Sequence, residues 1–199
     1  MEVIDILVII SLAIFYILFL GRTVLLNNKC IKVWVIGTST KNISEILLEK
    51  ILLPLALLIS FIFTIITALH IKLPAIISNY LLNIIWIKYI GIIFCYIGLI
   101  IFLSALISFG KSWRIGIDEN NTNELIINGM FKYSRNPIFL FMDLYFTGIM
   151  LIYPNIVFIL LAIGTIIGIH SQILREEKFL LNKFGEKYNK YKNKTRRYI

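Results

Sequence analysis

Cysteine, histidine and acidic residues are scarce in this chain, and each scarcity closes off a class of explanation. Only Cys30 and Cys95 are present, the second in the middle of an apolar run, so neither a disulfide framework nor a metal-ligand array is on offer. His70 and His170 stand too isolated to change that, and no metal is expected. No glycine-rich nucleotide fingerprint occurs, and the terminal Arg196-Arg197-Tyr198-Ile199 lacks the cysteine of a prenylation signal. Charge is scarce as well. Of 199 residues 16% are charged and 59% hydrophobic, with a mean hydropathy of +0.86, which excludes an ordinary soluble domain. The charge that remains is unbalanced, 20 Lys and Arg against 11 Asp and Glu, for a net +9. These basic residues flank apolar runs and form no compact basic domain, so nucleic acid is not an expected partner. Anionic lipid headgroups at the basic C-terminal tail are.

What is present in quantity is apolar sequence. A helix needs about 20 residues to cross a hydrocarbon core. Five runs meet or approach that length: Val3 to Leu20, Ile46 to Leu69, Ile84 to Phe109, Pro137 to Ile152, and Pro154 to about Leu174. They lack the strict alternation of barrel strands, and a chain in lipid must satisfy its own backbone hydrogen bonds, so the runs read as helices. The expected fold is an all-α integral membrane protein of about five transmembrane helices, the last two forming a hairpin at Tyr153-Pro154-Asn155. Glu2 precedes the first run and Asp5 interrupts it, unlike a secretory signal, so it reads as a retained helix.

Orientation follows from the basic residues. Arg22, Lys29, Lys32, Lys41 and Lys50 follow the first run, Lys111, Arg114, Lys132 and Arg135 lie between the third and fourth, and the tail carries many more. The other side offers Lys72 and Lys88. The positive-inside rule therefore places the N-terminus outside and the C-terminus in the cytoplasm, which an odd number of spans permits. Thr23 to Lys50, mixing Val33 and Trp34 with lysines, reads either as an interfacial amphipathic piece or as a loop. Gly164 and Gly168 have the small-xxx-small spacing of helix contacts.

The chain divides into residues 1–108, three spans polar only in their loops, and 109–199, where polar groups gather at helix ends. Trp113 and Arg114 suit headgroup depth. Asp118 to Asn123 is a hydrophilic excursion, Leu125 to Asn128 returns as an extended apolar piece, and Gly129 permits a bend. Asn136 and Pro137 form a helix start, an N-cap followed by the one helical position where a missing donor costs nothing. That N-terminus, beside Arg135, suits a carboxylate or a phosphate. On the helix leaving the fifth span, Gln172 and Glu176 share a face while Glu177 is turned by about 100°.

Together, Lys111-Ser-Trp-Arg-Ile-Gly-Ile-Asp118, Leu125-x3-Gly129-x3-Tyr133-x-Arg135-Asn-Pro137 and Glu176-Glu177-x2-Leu180-x3-Phe184-Gly185-x2-Tyr188-x2-Tyr191 resemble the superfamily of membrane methyltransferases that includes isoprenylcysteine carboxyl methyltransferases and phospholipid methyltransferases. The resemblance runs from about Phe109 to Tyr198 and makes 109–199 the catalytic region. It implies S-adenosylmethionine bound at the cytoplasmic ends of the last helices. Leu125, Gly129, Tyr133, Arg135, Asn136, Pro137, Glu176 and Glu177 would hold the cofactor, while Trp113, Arg114 and Gln172 would face a lipid or lipidated acceptor from the bilayer. Arg135 and the helix start suit the cofactor carboxylate, Glu176 or Glu177 its ammonium or ribose, and Tyr133 its adenine.

Methyl transfer is an in-line displacement that positioning and dryness accelerate, so no distinct catalytic residue is expected. Two positions depart from the prenylcysteine-specific pattern. Asn136 replaces His, and Gln172 replaces an Arg, so no guanidinium fork awaits a substrate carboxylate there. The acceptor stays open between a carboxylate and a lipid amine. Alternatives to the methyltransferase are an NADPH-dependent lipid or sterol-type reductase, which shares an Arg-x-Pro helix start, and a non-catalytic membrane scaffold.

Overall fold

The computed structural model describes residues 2–31, 33, 51, 53–114 and 124–199. The Asp118 to Asn123 excursion and most of Thr23 to Lys50 fall outside the described residues. Among those described, all regular structure is helical. The α-helices are α1 (Val3–Asn27), α2 (Leu53–Ala68), the single turn α3 (Ala75–Ser78), α4 (Ile85–Phe109), α5 (Pro137–Ile152), α6 (Ile156–Phe184) and α7 (Glu186–Lys194). Two 3-10 turns, Gly110–Ser112 and Gly129–Lys132, flank the loop between α4 and α5. Among the described residues, three helices are long and apolar enough to cross a membrane: α1, α4 with its 3-10 extension to Ser112, and α6. The apolar stretches Leu55–Ala68 and Pro137–Ile152 are shorter. At about 1.5 Å per residue, α5 covers roughly 24 Å of a core about 30 Å thick.

Hydrogen bonds between elements show that these helices run alternately across one layer. At one end, Asp5 of α1 receives the Tyr153 hydroxyl at 2.9 Å and pairs with His70 Nε2 at 2.8 Å, and Leu81 N donates to Pro154 O at 2.8 Å. At the other, an Arg22 guanidinium donates to Gly110 O and so ties the far ends of α1 and α4. We call these the hairpin end and the tail end. In mid-layer, Ser11 and Tyr145 share a buried 2.9 Å hydrogen bond, and Phe15, Phe102, Phe141 and Tyr145 form an aromatic cluster linking α1, α4 and α5.

The tightest crossing is between α4 and α5. A Cβ added at Gly91 would lie 2.6 Å from Gly148 O, and one at Gly148 would lie 2.6 Å from both Gly91 O and Cys95 Sγ. The small-residue contact expected at Gly164 and Gly168 of α6 is not made among the described residues, where nothing lies within 4 Å of a Cβ at either position. The hairpin turns where the sequence expects. Asn155 caps α6, its side-chain oxygen accepting from Val157 N and Phe158 N at 3.1 Å each. Helix α6 then continues past Leu174 to Phe184, carrying its polar end clear of the apolar run. Gly185, at φ +51°, breaks it, and α7 folds back as a basic helix. A second, smaller core forms here, with Tyr188 and Tyr191 of α7 packed against Phe131, Leu125, Ile126, Leu180 and Phe184.

Candidate functional site

The polar residues of the tail end converge from three directions: the loop entering α5, the last turns of α6, and the chain after α7. The loop is shaped by Gly129, whose φ of +63° favours glycine and whose Cβ would fall 2.2 Å from Ser108 Oγ. That same Ser108 Oγ accepts from Met130 N at 2.9 Å, so the bend is fastened to the end of α4. Leu125 packs into the small core beneath it. Tyr133 is then left 69% exposed. An aromatic face open to solvent beside a polar cluster is available for stacking on a ligand ring.

Asn136 and Pro137 stand at the expected N-cap and first helical positions of α5, but Asn136 makes no side-chain cap. Its Nδ2 instead donates to Arg197 O at 3.2 Å. Ser134 Oγ reaches the same carbonyl at 3.3 Å, and Arg135 N donates to Arg196 O at 3.0 Å. The chain after α7 is thus laid across the helix start.

Glu177 and Arg135, expected to hold different parts of one ligand, are brought together. Arg135 Nη2 lies 3.1 Å from Glu177 Oε1, with both side chains nearly buried. Arg197 Nε and Nη2 donate to Glu177 Oε1 and Oε2 at 3.0 and 2.9 Å, a bidentate fork. Two guanidiniums around one carboxylate leave the cluster one positive charge in excess. Hydrogen bonding to Glu177 pushes the Arg197 guanidinium above its ordinary pKa. Burial, and then the Glu177 charge, push the nearby Tyr188 phenol up to about 12. Two Arg135 nitrogens, Nε and Nη1, are buried with no hydrogen-bond partner among the described residues. Orphaned cationic donors at a helix N-terminus fit an anionic group such as the carboxylate end of S-adenosylmethionine.

Gln172 is buried one turn before Glu176, and its Oε1 accepts from Arg175 Nη2 at 2.7 Å. A guanidinium is therefore held three residues from the position where the sequence lacks one. Glu176 is half-buried on the same stretch of α6. Trp113 and Arg114 make contacts with residues outside this cluster. Trp113 is 2% exposed, edge-on to Phe19 of α1 with ring centroids 5.7 Å apart, and Arg114 Nη1 donates to Lys111 O and Trp113 O at 2.9 and 2.8 Å.

Sequence reasoning missed Arg197, Ser134 and a group just inside the layer. Asp143 lies on α5, and its Oδ1 is buried with no partner among the described residues. His170 Nδ1 of α6 is 3.3 Å from the Tyr198 hydroxyl. Burial, and then the Asp143 charge, push the Tyr198 phenol up. The available signal for Asp143 was its position, an acid inside an apolar run. For Arg197 there was none, because it stands in a run of basic residues.

A family model described as phospholipid methyltransferase matches residues 86–187, just over half of the chain. The matched stretch takes in α4, the Gly129 loop, α5, α6 and the first residues of α7, and stops short of Arg197. No curated protein matches the chain.

Proposed function

The chain belongs to the phospholipid methyltransferase family, and from that membership we propose that it transfers a methyl group from S-adenosylmethionine to an amine-bearing lipid in the membrane. The observation that carries the cofactor half is the buried pair of Arg135 nitrogens at the start of α5, which have no partner among the described residues. They would hold the methionine carboxylate. Glu177, fixed by Arg135 and Arg197, keeps that guanidinium in place, and Glu176 on the adjoining face of α6 would accept from the ammonium or ribose. Tyr133, open to solvent, would lie on the adenine. When bound, S-adenosylmethionine supplies an electrophilic methyl group on a sulfonium.

The acceptor half rests on Asp143. Its Oδ1, buried on α5 with no partner among the described residues, disfavours a second carboxylate and favours an ammonium or an amine N–H. Asp143 would take the proton that the amine must lose for its lone pair to attack, while the electron pair of the broken C–S bond stays on sulfur. Helices α5 and α6 align the two reactants and exclude water, which a displacement of this kind uses in place of covalent catalysis.

The test is direct. Isothermal titration of purified, folded protein with S-adenosylmethionine is expected to show saturable binding, and its absence sinks the cofactor reading. Membranes containing the protein, incubated with radiolabelled methyl donor, are expected to yield alkali-stable label in the lipid fraction. Alkali-labile label would mean a methyl ester and overturn the amine.

A further inference from the structure

A second site lies on the far side of the Gly129 loop, sharing no residue with the Arg135–Glu177–Arg197 cluster. It is a cavity of about 380 Å³ lined by Ile127 and Lys132 on the loop side and by Lys187, Lys190, Tyr191, Lys194 and Thr195 on the α7 side. Its construction follows from helix geometry. Lys187, Lys190 and Lys194, spaced three and four apart, stand on one face of α7, and Lys132 opposes them from the end of the 3-10 turn. The floor is firm. Tyr191 is 8% exposed, with its hydroxyl donating to Phe131 O at 2.6 Å, and Thr195 is 7% exposed at the end of α7.

The wall is of one sign. Among the described residues no carboxylate lines the cavity and none of its four lysines makes an ion pair. Four ammonium groups facing a shared concavity repel one another, and a bound anion relieves that repulsion. Ammonium groups are compact, mobile point charges that can close around a tetrahedral anion from several sides. The volume lies in the range of small-molecule sites and exceeds what a lone inorganic ion fills. The cavity also sits at the tail end of the molecule, on the basic helix α7.

We infer that the Lys132–Lys187–Lys190–Lys194 cavity is a binding site for a phosphate monoester group, of the kind carried by an acidic lipid headgroup or by a small phosphorylated metabolite. The occupant bridges Lys132 to α7. Because Lys132 directly precedes Tyr133, it thereby braces the loop that presents Tyr133 and Arg135.

Two arms separate the sources. The full chain in phosphatidylcholine nanodiscs is titrated with inorganic phosphate by calorimetry. In parallel, the detergent-solubilised chain is exposed to phosphatidate and to phosphatidylcholine, and retained lipid is read by native mass spectrometry. One saturable event is expected in at least one arm. Retention of phosphatidate but not phosphatidylcholine identifies a lipid occupant, and calorimetric binding alone identifies a soluble one. The Lys132→Gln/Lys190→Gln double variant, altered only at exposed positions, is expected to weaken it at least about tenfold. Lys192→Gln removes a charge from the same helix without touching the cavity and is expected to leave binding unchanged. No saturable binding in either arm, or equal weakening by Lys192→Gln, overturns the site in favour of diffuse attraction.

Discussion

At the scale of single residues, charge placement decides the site. Arg135 has one nitrogen on Glu177 and two buried nitrogens without partners among the described residues, so truncating it removes the proposed cofactor contact and leaves the buried Glu177 to Arg197 alone. Arg135→Ala is expected to weaken S-adenosylmethionine binding about 10- to 100-fold, the worth of a charge-assisted hydrogen bond of about 1.5–3 kcal/mol. Isothermal titration checks it, and unchanged affinity would reduce Arg135 to a structural partner of Glu177. Asp143→Asn makes the complementary change. It keeps the shape of the side chain and removes the proton acceptor, so turnover is expected to fall about a hundredfold or more while cofactor affinity holds. Equal losses of cofactor binding and turnover would instead mark Asp143 as a packing residue. Arg135, Glu177 and the helix start at Pro137 were legible because their residue types have few uses at a membrane boundary. Their mutual pairing was not, since a sequence shows which groups reach an interface and says nothing of their distance across it. Arg197 was hidden for a different reason: in a run of solvated cations, the one that turns inward looks like the rest.

At the scale of elements, apolar run length gave the helices, and glycine decides how two connections are made. All five runs are helical where they are described, and the Tyr153-Pro154-Asn155 hairpin falls where its turn residues stand. What length could not supply was contact. Gly164 and Gly168 have the spacing of a packing motif yet meet no neighbour among the described residues, whereas Gly91 and Gly148, on different helices, make a close approach. Spacing within one helix marks a smooth face without naming what covers it. Gly148→Ala is therefore expected to cost about 1–3 kcal/mol, because its Cβ would meet the Gly91 carbonyl and Cys95 sulfur, neither of which can easily yield. Gly164→Ala and Gly168→Ala are expected to be neutral or slightly stabilising through helix propensity. Thermal unfolding in detergent compares the three. In the loop, Gly129→Ala adds a positive-φ penalty of about 1–2 kcal/mol to a collision with Ser108 Oγ. Adding Ser108→Ala removes the oxygen and is expected to restore only part of the lost stability, because the Ser108 Cβ still lies 2.9 Å from the new methyl.

At the scale of the whole molecule, the two ends differ in kind, and that difference carries the orientation. The hairpin end is small and self-satisfied: Asp5 takes Tyr153, His70 and the Glu2 backbone N–H, so its buried carboxylate is fully engaged, and among the described residues Lys72 and Lys88 are its lysines. The tail end carries the guanidinium cluster, the four-lysine cavity and the exposed chain around them. Positive charge is retained on the cytoplasmic side of a membrane, where S-adenosylmethionine would also be met. The tail end is therefore expected to be cytoplasmic, with the N-terminus outside. The chain supplies its own probe. Cys30 is exposed at the tail end of α1, whereas Cys95 is fully buried between α4 and α5, where burial and the contact with Tyr145 O keep a reagent out. A membrane-impermeant maleimide is expected to leave intact cells unlabelled and to label Cys30 in inverted vesicles. In a Cys30→Ser background, Asn79→Cys, on the exposed connection between α3 and α4, is expected to show the opposite pattern. Labelling of Cys30 from outside intact cells would invert the molecule and put its guanidinium cluster on the side opposite the one proposed for the cofactor.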